Sequence, residues 1–200
     1  MEPYRFSLFA PPASSVRPLR TIGVLEAYNL ITTSPRLQQA TEGLRAISEA
    51  KERRQFKVTH FPFATFSGEF TYRKADCLVQ HSSLLCLDFD HVGPYKPSLP
   101  EGDAVDRLRS RLVADPHFAT MLAFRSPSGD GLKWVVALDL QRGSHVQWVQ
   151  AVMRYVEATY GMQPDAQCKD IPRSCFLPHD GDCYLNPAFR QGTYADYCPF

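Results

Sequence analysis

The 200-residue sequence contains no run approaching the 18 or more apolar residues that a membrane span requires, and its first 15 residues lack both a basic n-region and an uninterrupted apolar h-region. No membrane partner and no secretion signal are therefore expected, and a cytoplasmic location is. Cysteine is sparse, six in the whole chain, which excludes a small disulfide scaffold; Cys86, inside an apolar run, reads as a buried thiol. A charge excess of one sign is also missing. With 22 Lys+Arg against 21 Asp+Glu the formal net charge is +1, too little to draw a polyanion by net charge alone.

What is present is an ordinary globular composition: 44% hydrophobic, 12% aromatic and 22% charged residues. That balance excludes disordered, collagen-like and coiled-coil chains. A chain of this length buries about 70% of its unfolded surface on folding. The near-neutral total conceals an asymmetry, because residues 1–80 carry 11 basic and 7 acidic side chains and residues 81–200 carry 11 and 14. A basic N-terminal α/β part (1–80) beside an acidic C-terminal part (81–200), both in one compact unit, is the expected organisation.

Residues 1–33, with four prolines, predict an irregular or strand-forming lead-in. Ser34 followed by Pro35 predicts a helix start, and Leu37, Ala40, Leu44 and Ile47 predict one apolar stripe running to about Arg54. The aromatic and β-branched stretch from Phe56 to Thr71 predicts irregular strands. From Leu84 six elements follow: a strand over 84–90, a helix capped by Ser98 and Glu101 with Val105, Leu108 and Leu112 inward, and a strand over 119–125. A hairpin turn over 126–131 leads to a strand over 132–140. Ser144 then caps a helix with Val149, Met153, Val156 and Tyr160 inward and Gly161 at its end, and a last strand covers 173–178. This β-α-β-β-α-β order predicts an α+β fold whose C-terminal half is ferredoxin-like, or RRM-like, with the first and third strands antiparallel and central and the fourth beside the first.

Asp88 and Asp90 stand two apart at the end of the first of these strands, so both carboxylates leave the same sheet face. Like charges placed together repel, and a divalent cation relieves them; a pair of carboxylates completed by substrate phosphates suits Mg²⁺ or Mn²⁺. The turn containing Ser126, Ser128 and Gly129 offers small residues and backbone N–H groups for phosphate oxygens, and Lys133 adds a cation. Asp165 or Asp170 can supply a further carboxylate, and Arg173 a guanidinium for phosphate. Arg73 and His81 can reach the same cleft and contact nucleic acid. Cys168, Cys175, His179 and Cys183 lack the close cysteine pair of a zinc ribbon, so zinc is not expected there.

The segments LLCLDFDHV, FRSPSGDGLKWVV and DAQCKDIPRSCFLPHDGDCYLN, with FPFATFSGEFTYR upstream, resemble the VirE N-terminal-domain family of bacterial mobile elements, itself similar to the catalytic domains of archaeo-eukaryotic primases and primase-polymerases. The resemblance implies an RRM-like catalytic half preceded by an α/β half that helps hold template. It implies that Asp88, Asp90 and Asp165 bind metal, that Ser128 contacts the incoming nucleotide, and that Lys133 occupies the place of the family's histidine. Arg173 matches a following basic residue. Lysine holds a triphosphate as a point charge without reproducing imidazole geometry. The implied activity is metal-dependent nucleotidyl transfer from NTP or dNTP on a single-stranded DNA or RNA template. The alternative is a non-catalytic nucleic-acid or nucleotide-binding module working beside a helicase. A rolling-circle nuclease is disfavoured, because His60 stands without the His-hydrophobic-His partner that chemistry needs. A plain RNA-binding RRM is disfavoured because Asp88 and Asp90 occupy the face where its stacking aromatics belong.

Overall fold

The computed structural model describes residues 4–96 and 102–190. In chain order the elements are β1 (Phe6–Phe9), β2 (Arg20–Ile22), α1 (Val24–Thr33), α2 (Pro35–Ala46), α3 (Ala50–His60), β3 (Phe63–Thr65), β4 (Gly68–Phe70) and β5 (Leu78–His81). There follow β6 (Leu84–Phe89), α4 (Ala104–Val113), β7 (Thr120–Arg125), β8 (Leu132–Ala137), α5 (His145–Tyr160), β9 (Cys175–Phe176), β10 (Tyr184–Leu185) and α6 (Pro187–Arg190). The fold is mixed α/β, with six α-helices and three antiparallel sheets among the described residues. None of those helices is long and apolar enough to cross a membrane.

The larger C-terminal sheet has the order β10-β7-β8-β6. Both β6 and β7 run antiparallel to β8, so they are parallel to each other and need a crossover, which α4 provides. Strand alternation divides the side chains of β6. Leu85, Leu87 and Phe89 join Val105, Leu108 and Leu112 of α4 and Val149, Val152 and Val156 of α5 in one core, while Leu84 and Cys86 face a second core shared with β1, α1 and β3. The sheet is therefore buried on both faces along most of its length. Its polar residues emerge only at the C-terminal end of β6.

The helix signals hold where a side chain makes the cap. Ser34 accepts from Leu37 N with Pro35 at the first helical position, and Ser144 and Gln147 form a capping box at α5, which ends on Gly161 at φ 66°. On α5 the buried stripe is His145, Val149, Val152 and Val156, with Met153 and Tyr160 packed against the core beneath it. The helix expected to run from Ser34 to Arg54 is instead two. α2 stops at Ala46, and the Glu49 carboxylate accepts from Lys51 N and Glu52 N to start α3. That second start also turns 56–60, read as strand, into helix. α1 was missed because Gly23, its N-cap, makes no side-chain bond and leaves no signal in the sequence. Ser98 and Glu101 lie outside the described residues; α4 is capped by Asp103 and Asp106.

The expected fourth strand beside β6 is not formed. Only Cys175 and Phe176 are extended, and they pair with β3 in the other sheet, whose order is β2-β1-β3-β9. The physical reason lies just upstream. Pro172 has no N–H to give a ladder, Arg173 is turned back onto Asp165, and a 3-10 turn (Ala166–Lys169) lies against the free edge of β6. The RRM-like arrangement read from the sequence is corrected at this edge.

Candidate metal centre

β6 and β8 are in register with Asp88 opposite Lys133, so their side chains meet across the strands. They form an ion pair between Lys133 Nζ and Asp88 Oδ1. Asp90, one alternation further, is exposed beyond the strand end. Asp165 arrives from 75 residues away, and its backbone explains how: Asp165 N–H donates to Asp88 O at 2.9 Å, and its side chain caps the following 3-10 turn by accepting from Gln167 N at 2.9 Å. One carboxylate oxygen from each of Asp88, Asp90 and Asp165 lies within 4.8 Å of the others. Asp170, the alternative third carboxylate, closes the far end of that turn through its backbone and is not in the cluster.

The cluster is partly neutralised, Asp88 by Lys133 and Asp165 by Arg173. Burial pushes the Asp88 carboxyl up, the Lys133 ammonium opposes this, and Asp90 and Asp165 add to it; the net direction is upward. Burial by itself lowers the Lys133 pKa, but the Asp88 charge outweighs it and holds the lysine charged. Arg173 pairs with Asp165 at 2.5 Å and also donates to Gln167. Three hard oxygen ligands converging at the rim of a sheet fit a Mg²⁺- or Mn²⁺-class cation.

The turn after β7 is closed from within. Ser126 N donates to Gly131 O, Gly129 N to Ser126 O, and Gly131 N to Ser126 Oγ. These bonds occupy three of the turn's N–H groups and the Ser126 hydroxyl as an acceptor. Ser128 is half-buried and takes no part in them. Gly129 adopts φ 89°, which favours glycine; Gly131 instead serves close approach, since a Cβ there would stand 2.5 Å from Phe89 O. The turn thus sits directly on the end of β6.

Arg73 and His81 fare differently from each other. Arg73 donates to Ala13 O, stacks over Phe63 at 4.9 Å, and with Lys169 and Arg173 lines an open groove of about 460 Å³. Arg173 also borders a narrow pit containing Asp88, so it stands between groove and cluster. His81 is engaged in a histidine pair: Ser83 N donates to His81 Nδ1 at 3.0 Å, which places the proton on Nε2, 3.1 Å from His145 Nδ1. Burial and the neighbouring His145 lower the His81 pKa to about 4. The unfolded chain then binds the proton first, so stability present above about pH 6.5 is lost as the pH falls from there toward 4. Discounted for partial exposure, a loss of about 1 kcal/mol between pH 7 and pH 5 is expected in denaturant titrations, and a smaller one in His81→Gln. An unchanged slope in the variant would refute the pairing.

Lys57 and the Arg125 network escaped the sequence reading. Lys57 was read within a strand; on α3 it is half-buried with its ammonium 5.9 Å from the centre of the Phe176 ring, and burial, with the Lys133 charge acting the same way, lowers its pKa. Arg125, on a fully buried strand, bonds both oxygens of Asp103, Asp106 Oδ1 and Gly129 O, while Asp180 accepts from Arg125 N and Arg109. Cys86 and Cys175 approach with Sγ atoms 3.7 Å apart, and among the described residues no thiol joins the carboxylate cluster.

The fold and this rim define a mixed α/β protein with a cluster of three aspartates between a closed glycine turn and a basic groove. Residues 55–185 match the family BT4734-like, N-terminal domain, and the chain belongs to that family. No curated protein and no solved structure matches it. The family assignment corrects the resemblance drawn above: it is a different family from the VirE N-terminal domain, and no relative supports a primase or primase-polymerase identity. The motifs behind that resemblance are short. Two strand-end aspartates, a glycine turn and a later Asp…Arg are what many carboxylate cation sites require, and they do not single out one family.

Proposed function

We propose that this chain is a divalent-metal-dependent nucleotidyltransferase that binds a nucleoside triphosphate at Asp88, Asp90 and Asp165 and initiates or extends a strand on single-stranded nucleic acid. The observation that carries the reading is the convergence of these three carboxylates, distant in sequence, next to Arg173 and the basic groove. A Mg²⁺ or Mn²⁺ ion bound there supplies charge stabilisation to the transferring phosphoryl group and lowers the pKa of a coordinated hydroxyl. The protein's own part is placement. Asp88 is fixed by β6 and Asp165 by its backbone bond to Asp88, with Asp90 directly after the strand end, so two of the three ligands need little reorganisation when charge develops. Arg173 meets phosphate oxygens from the side of Asp165. Arg73 and Lys169 continue the positive surface along the groove, where a strand's backbone is drawn by charge. Lys133, buried against Asp88, acts by balancing the cluster when no cation is bound.

The test is incorporation of labelled NTP or dNTP on a single-stranded template with Mg²⁺ or Mn²⁺, comparing the protein with Asp88→Ala/Asp90→Ala. Metal-dependent product from the wild type alone is expected. Product that survives the double substitution rejects the site. Tight single-strand binding with no product under either metal assigns the chain instead to a non-catalytic binding module.

A further inference from the structure

Two free thiols meet behind the aspartate cluster, one from each of the two larger sheets. β6 is paired along its whole length with β8, and strand alternation turns Cys86 to the same face as Asp88. β9 is paired with β3 in the other sheet, with Cys175 opposite Ala64. Each strand is thus anchored by its own ladder. Between them the Cys86 thiol donates to Cys175 Sγ at 3.7 Å, in the core that the two sheets share.

The pair also has an entrance. Cys86, Cys175 and Cys168 line the narrow pit that contains Asp88 and is bordered by Arg173, and its volume, about 20 Å³, is on the scale of one water molecule. A metal does not suit these thiols, because among the described residues no third ligand closes with Cys86 and Cys175 into a group. The Cys175 contact and burial push the Cys86 thiol up, which keeps it protonated and the pair slow to react until an oxidant accumulates. Cys168 is restrained in the same way, burial pushing its thiol up to about 12.

We propose that Cys86 and Cys175 form a redox modification site, closed into a disulfide by hydrogen peroxide that reaches them through the pit. Peroxide converts one thiol to a sulfenic acid, its O–O bond breaking and one water leaving. The second sulfur then displaces the sulfenic hydroxyl to form the S–S bond, and the hydroxyl takes up the second thiol's proton and leaves as water. Two thiols give up two electrons, and the peroxide takes both. The sulfurs close from 3.7 Å to about 2.05 Å. The bond spans roughly 90 residues of chain and ties β6 to β9. Cys86 stands two residues before Asp88 and Cys175 two after Arg173, so oxidation acts on the frame of the carboxylate cluster. The site stands whether or not that cluster carries out nucleotidyl transfer.

The full chain, reduced and then freed of reductant, is treated with hydrogen peroxide, alkylated, and digested without reduction. Mass spectrometry is expected to show a Cys86–Cys175 link that dithiothreitol removes, that is absent from Cys86→Ser and from Cys175→Ser, and that persists in Cys168→Ser. The midpoint of thermal unfolding should rise about 4–16 °C in the linked protein, the range for a disulfide that fits its fold in a chain of this size. Peroxide should give neither single variant that rise. Glutathione disulfide, too bulky for the pit, should leave the pair reduced. A link from either cysteine to Cys168 instead, or peroxide that oxidises Cys77 yet leaves Cys86 and Cys175 as thiols, overturns the pair. A Cys86–Cys175 link that leaves the midpoint unchanged or lowers it shows that the sheets must part to make the bond, and overturns a site already formed in the fold. Equal oxidation by glutathione disulfide overturns the pit as the route.

Discussion

Asp165→Asn is expected to cut nucleotide incorporation about 10²- to 10³-fold and to weaken Mn²⁺ binding at least roughly tenfold, with the melting temperature little changed. The fold tolerates asparagine because its amide oxygen still accepts from Gln167 N, and the backbone bond from Asp165 N to Asp88 O does not involve the side chain. What disappears is one negative charge from a cluster whose oxygens lie within 4.8 Å of one another, together with the part-exposed ion pair to Arg173. Hard cations are held by ligand charge and number, so binding weakens, and with it the charge stabilisation available to the transferring phosphoryl group. The paired control is Asp170→Asn. Its carboxylate lies outside the cluster, so neither Mn²⁺ affinity nor turnover should move. Reversal of the two results, with Asp170→Asn inactive and Asp165→Asn active, would dismantle the site as described. Both are read by Mn²⁺ calorimetry and initial rates on one preparation.

Asp88 and Asp90 were legible as a same-face pair because strand alternation is a local rule, and the apolar run before them identifies the strand. Asp165 was legible only as a choice between two aspartates. What decides it is a backbone hydrogen bond to Asp88, and no side-chain pattern records such a bond. The fourth strand failed for a related reason. Residues 173–178 look extended by composition, yet the edge of β6 is occupied by a 3-10 turn, and β9 finds its partner in β3, more than a hundred residues earlier. α1 was missed because tertiary packing of Val24, Ala27 and Ile31 holds it, and α3 was read only up to Arg54, as the end of α2, because the Glu49 cap that starts it as a separate helix was not read.

Arg125→Ala is expected to lower the unfolding free energy by about 3–5 kcal/mol, and the midpoint of thermal unfolding by about 6–20 °C at the 2–4 °C per kcal/mol usual for a chain of this size. Arg125 and Asp103 are 6% and 2% exposed, so truncating the guanidinium strands a buried carboxylate rather than returning it to water. The acid limb gives an independent reading. Burial raises the Asp103 carboxyl, but the Arg125 bonds and the amides of Lys96 and Asp106 outweigh it and hold the group well below the ordinary carboxylate range. A depressed carboxyl contributes stability above its unfolded value near 4, and that contribution is lost as the pH falls below it. Arg125→Ala should therefore flatten the fall in stability below about pH 4 while lowering the plateau above it. Arg125→Lys keeps the charge and loses the fork, so it should sit between the two. A plateau within 1 kcal/mol of wild type would show that the network is dispensable. The same bonds explain why a fold element matters to chemistry: Arg125 holds Gly129 O of the turn that sits on the end of β6, and so a loosened network is also expected to raise the KM for triphosphate before it touches Mn²⁺ affinity.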